Sequence, residues 1–252
     1  MKINVAATTH IGHKKRSNQD RILVRVGEVD SKEFGLFVIA DGMGGLSHGE
    51  KAADIAVQES DRWWNSDLRI LIQKNKVTKD NIVNTLNDLV QEIHQIIVEE
   101  SNKLGESMGT TVTILLVINN QYYTVHVGDS RVYEVAQHVI QITKDHSWVQ
   151  SEIDAGRLTE QEAAVHPKRN ALIQCAGMPG KPKVHNRNGA MRNNSAFLLC
   201  SDGFYHYIDI NQCKEIKGLS EQGLTDWLVK AERHILSQIA HDNLTAITVT
   251  IE

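Results

Sequence analysis

Residues 35–50 read GLFVIADGMGGLSHGE. Five apolar residues, Leu36 to Ala40, end in Asp41, and Gly42, Gly44 and Gly45 follow at once. So short an apolar run, closed by glycines, reads as a strand buried on both faces. A carboxylate at its end is anchored by a rigid element yet emerges into a loop. Glycines there let the chain turn tightly and let a ligand approach backbone carbonyls closely. Carboxylate plus carbonyl is the donor set of a hard cation such as Mg²⁺ or Mn²⁺. Asp-Gly is also the commonest turn pair, so this stretch alone equally suits a plain strand-to-turn junction.

Toward the N-terminus, residues 2–9 read as a first strand, and RILVRV (21–26) as a half-buried one in which Ile22, Val24 and Val26 alternate with other residues. Between them lies a polar loop, HIGHKKRSNQD (10–20), which sets Lys14, Lys15 and Arg16 beside Asn18 and Asp20. A solvated charged loop is the plain reading of that run.

Beyond the glycines, residues 49–64 read as a helix with Ala52, Ala53, Ala56 and Val57 on one face. The stretch from Asn65 to Thr78 has no clear period. Residues 80–104 carry Ile82, Leu86, Leu89, Val90, Ile93, Ile96 and Ile97 at helical spacing, with Gly105 placed as the C-cap. MGTTVTILLVI (108–118) and YYTVHV (122–127) read as two strands turned by Asn119-Asn120. GDSR (128–131) then turns into a third strand, VYEV, which completes an expected antiparallel meander. Residues 143–187 read as an irregular excursion with short helices at 147–155 and 160–165. AFLLC (196–200) repeats the opening pattern, a buried strand running into Ser201, Asp202 and Gly203. An amphipathic helix over 220–239, with Leu224, Trp227, Leu228, Ala231, Ile235 and Ile239, precedes His241-Asp242-Asn243 and a final alternating strand, LTAITVTI.

The 252 residues are 41% hydrophobic and 23% charged, with a net charge of −4. That balance offers no electrostatic case for nucleic acid or an anionic membrane. Apolar runs such as Ile114–Ile118 are too short to span a bilayer, and MKINVAATTH lacks the apolar region of a signal peptide, so no membrane insertion and a cytoplasmic location are expected. Cys175, Cys200 and Cys213 are odd in number without a CxxC spacing, which disfavours a disulfide framework or zinc site and suits a reducing compartment. No repeat or linker interrupts the chain, so one domain over 1–252 is expected.

Asp41, Asp129, Asp202 and Asp242 each stand where a strand meets a turn, beside Gly or Asn. Strand ends on one edge of a sheet converge in space, and carboxylates gathered there repel and shift one another's pKa values. Divalent cations relieve that repulsion, and an all-oxygen set favours Mg²⁺ or Mn²⁺ over Zn²⁺. Two such ions can lower the pKa of a water and hold it in line with phosphorus, with nearby cations gripping the phosphate.

These motifs, in order, resemble the metal-dependent protein serine/threonine phosphatases of the PPM (type 2C) family in their compact bacterial form. The resemblance covers essentially the whole chain and rests on SNQD (17–20), DGMGG (41–45), MGTT (108–111), GDSR (128–131), TKDHSW (143–148), SDG (201–203) and DN (242–243). It implies an α+β fold: a β-sandwich of two antiparallel sheets flanked by pairs of helices (α-β-β-α), with a small helical flap subdomain at about 143–187. In such a sandwich, Asp41 need not follow a parallel strand, because helices bury the outer sheet faces. The resemblance also implies roles. Asp41 bridges two core metals and the Gly42 carbonyl ligates one. Asp202 and Asp242 complete the other core site, and Asp129 with Asp202 holds a third, weaker ion. Asp20 orders water, and the nucleophile is the water between the metals. The implied cofactors are two Mn²⁺ or Mg²⁺ ions with room for a third. The implied substrates are phosphoserine and phosphothreonine proteins of a bacterial Ser/Thr kinase, met by a monomer.

The chain departs from the family pattern at two points. Where the family places a phosphate-binding arginine, this chain has Lys15 with Arg16 beside it; lysine keeps the charge but loses the planar fork. Where bacterial members often carry histidine after the glycines, it has Leu46, with His48 two positions on. That leaves the general acid open: a loop role suits His48, structural roles beside the site suit His126 and His241, and His166 lies in the flap. Two other readings remain: a weakly catalytic regulatory or binding module on the same fold, and a metal hydrolase of small phosphoesters.

Overall fold

The computed structural model describes residues 1–43, 48–191, 194–238 and 240–252. They build two five-stranded antiparallel sheets packed face to face. One runs β1 (Ile3–His10), β10 (Leu244–Ile251), β9 (Ala196–Cys200), β6 (Arg131–Val135), β7 (Val139–Gln141). The other runs β2 (Arg21–Val29), β3 (Lys32–Ala40), β4 (Val112–Ile118), β5 (Gln121–Val127), β8 (His185–Ala190).

Period-two alternation decides which side chain meets which layer. Phe37, Ile39, Leu115 and Val117 meet Phe197, Leu199, Ile247 and Val249 between the sheets. The alternate residues of β3, Leu36, Val38 and Ala40, face the other way, toward α1 (Gly49–Trp63) and α3 (Lys79–Leu104). The 36–40 run is therefore buried on both faces, as its composition predicts, although its neighbours are antiparallel. On the opposite outer face, Leu198, Cys200 and Ala246 pack under Leu224, Leu228 and Ile235 of α7 (Glu221–Ser237). Here one long helix works with two short ones, α6 (Asp202–Tyr205) and a 3₁₀ turn (Ile210–Ile216), rather than with a second long helix.

Helix α3 follows its sequence closely. The Thr78 hydroxyl accepts from the Asn81 N–H at 3.3 Å, and Gly105 closes the helix at φ 69°. Ile82, Leu86, Leu89, Val90, Ile93 and Ile97 are buried, with Ile96 half-buried at the edge of the stripe. Burying each such side chain contributes about 1.5–3 kcal/mol. The unclassified stretch after residue 64 continues α1 through a π-helical turn (Trp64–Leu68) into α2 (Arg69–Gln73). Ile239, expected at the end of the last amphipathic helix, lies outside the described residues.

Three expectations need correction. The meander stops at β5: the Asn119-Asn120 turn, with φ of 52° and 61°, joins β4 to β5, but β6 pairs with β9 and β7 in the other sheet. The chain crosses at Gly128, whose φ is 118° and where a Cβ would stand 2.5 Å from Thr111 Cγ2. The final strand alternates in polarity but not in exposure: all of β10 is buried, because β1 and β9 flank it, α7 covers one face, and Thr245, Thr248 and Thr250 find hydrogen-bonding partners. The excursion ends earlier than expected, since residues 185–187 pair with β5 as the start of β8. Within it lie α4 (Trp148–Asp154), capped by Ser147, and α5 (Glu160–Ala164), with a Thr159–Glu162 capping box.

Candidate metal centre

Asp41 leaves β3 under firm control. Its N–H donates to Thr111 Oγ1 at 2.9 Å, while its carbonyl accepts from the Thr111 N–H and the Thr110 hydroxyl, both at 2.9 Å. Thr111 Oγ1 also lies 2.9 Å from Ser130 Oγ, so Asp41 and the Asp129 turn share one anchor. Gly42 is walled in: a Cβ there would meet Gly49 O at 2.5 Å and Gln19 O at 2.7 Å. Gly44, Gly45 and Leu46 lie outside the described residues.

Asp202 opens α6 directly after β9. The Ser201 N–H donates to Thr245 O and the Thr245 N–H donates to Ser201 Oγ, each at 3.0 Å, which fixes the strand end beside β10. A Cβ on Gly203 would stand 2.0 Å from Asn243 O, so the turn holding Asp202 touches the turn holding Asp242. Asn243 then reaches the N-terminal loop. Its Oδ1 accepts from the Gln19 N–H at 2.9 Å, and its Nδ2 donates to Ile11 O at 2.9 Å and Ser17 O at 3.1 Å.

Held in this way, the loop points Lys15 inward. Its Nζ lies 2.5 Å from Asp242 Oδ1, whereas Arg16 is exposed and makes no ion pair among the described residues. Burial alone would lower the Lys15 pKa; the bond to Asp242 and the fields of Asp242, Asp41 and Asp202 reverse that and raise it. On the far side, Arg131 Nη2 donates to Asp145 Oδ2 at 2.7 Å, and its guanidinium lies 3.8 Å above the Tyr205 ring. The Tyr205 hydroxyl donates to Asp129 O at 3.3 Å, so α6 and the Asp129 turn are also joined.

The four strand-end aspartates and Asp20 come together. Burial, then the fields of Asp20, Asp202, Asp129 and Asp242, push the Asp41 carboxyl well above its ordinary range. Burial, then Asp202, does the same to Asp129. Burial, then Asp242 and Asp20, lifts Asp202 to about 7, and burial with Asp242 lifts Asp20 to about 6. Asp20 is 2% exposed, and among the described residues neither carboxylate oxygen meets a donor in good hydrogen-bond geometry, although Thr245 and Ser201 lie close enough to favour its ionised form. An ionised carboxylate left so is costly, and divalent cations with their waters would satisfy it. Among the described residues no three Asp, Glu, His or Cys side chains close on one point. The side chains that do gather carry oxygen donors only, the chemistry of a hard cation that keeps several of its waters. The donor set therefore fits Mn²⁺ or Mg²⁺.

The histidines sort themselves. His48 Nε2 pairs with Glu106 Oε2 at 3.2 Å on the surface. His126 is fully buried, its Nδ1 lying 2.8 Å from Thr113 Oγ1 and its Nε2 3.0 Å from Gly128 O. His241 is exposed, and its N–H donates to the Tyr207 hydroxyl oxygen. His166 lies against Trp148, tilted by 30° with 4.8 Å between ring centroids. The motifs point to the aspartates and give no role to their neighbours Ser130, Ser201 and Asn243, nor to Thr111 of MGTT, a motif that holds no aspartate.

The family model for protein phosphatase 2C matches residues 8–247. The serine/threonine phosphatase stp of Listeria monocytogenes serotype 4b (strain F2365) is 31% identical over 221 residues, spanning 85% of this chain and 83% of that one. The crystal structure of serine/threonine phosphatase Stp1 from Staphylococcus aureus is similar with a TM-score of 0.85 at 25% identity, covering 100% of this chain and 96% of that chain. The catalytic domain of the serine/threonine protein phosphatase PstP, solved with two manganese ions, shares the fold at a TM-score of 0.78 and 24% identity, with 99% of each chain covered.

Proposed function

The chain belongs to the protein phosphatase 2C family, and we propose that it is a Mn²⁺- or Mg²⁺-dependent enzyme that hydrolyses phosphoserine and phosphothreonine in proteins. The observation that carries this reading is the converging acidic group, buried Asp20 included, with Lys15 at its rim.

Asp41, the Gly42 carbonyl, Asp202 and Asp242 would hold two core ions, and Asp129 with Asp202 a third. When bound, such ions polarise the phosphoryl oxygens and lower the pKa of water enough to supply a nucleophile at neutral pH. The protein's own groups do the rest. Thr111 and Ser201 fix the strand ends, so the carboxylates are oriented before any substrate arrives. Asp20, buried beside Ser201 and Thr245, accepts from water and orients it. Lys15 supplies the positive charge for the phosphate; Arg16, outward, does not. Asp41, Asp202 and Asp242 keep partial exposure, which supports access by a side chain displayed on a protein surface.

Phosphoproteins are the substrates, and the opposing enzyme is a bacterial Ser/Thr kinase. The chain acts as one catalytic domain and as a monomer, in the cytoplasm. Two facts support the location: Cys175, Cys200 and Cys213 are buried and unpaired, and among the described residues no helix is long and apolar enough to cross a membrane. The test is hydrolysis of para-nitrophenyl phosphate with Mn²⁺, with EDTA and Asp202→Asn as controls, followed by phosphothreonine peptides against nucleotides. Metal-dependent turnover, lost in the variant and favouring the peptides, is expected. A folded protein that binds metal but turns nothing over would instead make it a binding module.

A further inference from the structure

Asp129 follows a glycine that the 143–187 excursion grips from both ends. The Gly128 N–H donates to His146 Nδ1 at 3.1 Å, and the His146 N–H donates to Gly128 O at 2.7 Å. Gly128 thus sits in a two-point clamp made by one residue of the outgoing leg. The returning leg closes it. The Ile173 N–H donates to His146 O at 2.9 Å, and Gln174 Nε2 lies 3.2 Å from His146 Nδ1. Gln174 is in turn held by Lys183: its Nε2 donates to Lys183 O at 2.8 Å, and the Lys183 N–H donates to its Oε1 at 2.9 Å. His126 stacks on His146 with 5.3 Å between ring centroids and bonds the same Gly128 carbonyl. On the other side, Thr111 packs so close that a Cβ on Gly128 would stand 2.5 Å from Thr111 Cγ2.

Gly128 has a φ of 118°, so its peptide plane is free to rotate unless something holds it. Rotation there swings Asp129 directly. We propose that His146 is a positioning residue that sets the Asp129 carboxylate, so that the excursion's base governs occupancy of the outermost ion site. This rests on the phosphatase reading, in which Asp129 ligates that ion. Second-layer groups that orient a ligand typically carry 10- to 100-fold in metal affinity.

The test compares the full chain with His146→Ala, His146→Asn and Asp129→Asn, reading bound Mn²⁺ by electron paramagnetic resonance across a titration. Asn Oδ1 can accept from the Gly128 N–H as Nδ1 does. Asp129→Asn is expected to lose the weakest class of bound Mn²⁺. His146→Ala is expected to weaken only that class, by about tenfold, and His146→Asn to recover most of it. The Mn²⁺ concentration for half-maximal para-nitrophenyl phosphate turnover should shift with it, while the rate at saturating Mn²⁺ recovers. If Asp129→Asn loses the weak class and His146→Ala keeps it, the proposal falls and the phosphatase reading stands. The same holds if His146→Ala weakens every class together, or if His146→Asn fails to rescue. If Asp129→Asn binds as the parent does, Asp129 is not a ligand and the proposal falls, while the phosphatase reading, which rests on the two core ions, stands.

Discussion

Lys15 Nζ stands 2.5 Å from Asp242 Oδ1, joining two residues 227 positions apart. The pair joins the cationic loop between β1 and β2 to the turn before β10, and it selects one of three neighbouring cations to face the acidic group. A charged hydrogen bond to phosphate is worth about 1.5–3 kcal/mol, or roughly ten- to a hundredfold. Lys15→Met should lower kcat/KM for para-nitrophenyl phosphate by about that factor. Lys15→Arg should match or exceed the parent, because the guanidinium offers two donors in a fork. Arg16→Ala should stay close to the parent. A larger loss in Arg16→Ala than in Lys15→Met would reverse the assignment.

The acidic cluster trades stability for metal binding. Burial, and then the like charges around it, disfavour the ionised form of Asp41 in the metal-free chain. Asp41→Asn should therefore raise Tm in EDTA, by about 2–4 °C for each ~1 kcal/mol of relieved repulsion. In excess Mn²⁺ the order should invert, since only the parent gains from bound ions. Scanning calorimetry in both conditions reads the crossing, and a variant less stable in EDTA would contradict it.

Asn243 ties down the loop that carries Lys15. Its Nδ2 donates to both Ile11 O and Ser17 O, and its Oδ1 accepts from the Gln19 N–H. Asn243→Asp keeps the acceptor, loses both donors and leaves two carbonyls unpaired. KM should rise by about tenfold, matching one or two lost bonds, with kcat at saturation less affected. A fall in kcat alone, at constant KM, would show that the loop does not position Lys15.

Acid weakens the fold through His146. Burial, then the field of His185, lowers its pKa from 6.5 to about 4. Between those values the unfolded chain takes up a proton that the folded chain refuses, so folding loses stability as pH falls through that window. His146→Asn has no such group, and its Tm should fall less steeply than the parent's from pH 6.5 to 4. Taking the difference between the two proteins cancels the carboxylates, which titrate in both. Parallel curves would mean that His146 protonates as an exposed histidine does.

Along the chain, the sequence alone determined the longer strands and helices and the placing of each aspartate at a strand end, but not the short elements such as Arg69–Gln73, Val139–Gln141 and Ile210–Ile216. Side-chain period and turn chemistry are local properties: Leu36 to Ala40, the Ile82 to Ile97 stripe and the Asn119-Asn120 turn each declare themselves within a few residues. Tertiary structure decided the partners. VYEV (132–135) reads like the next strand of a meander, yet it crosses to the other sheet, because at Gly128 the chain turns past Thr111 and the strand finds β9. The choice of Lys15 over Arg16 was not legible either. Adjacent residues in a loop have equivalent local chemistry, and only the hold of Asn243 on Ile11, Ser17 and Gln19 turns one inward. Convergence of carboxylates so far apart in sequence depends on which strands pair, and that pairing is set by burial between two sheets, which no local pattern encodes.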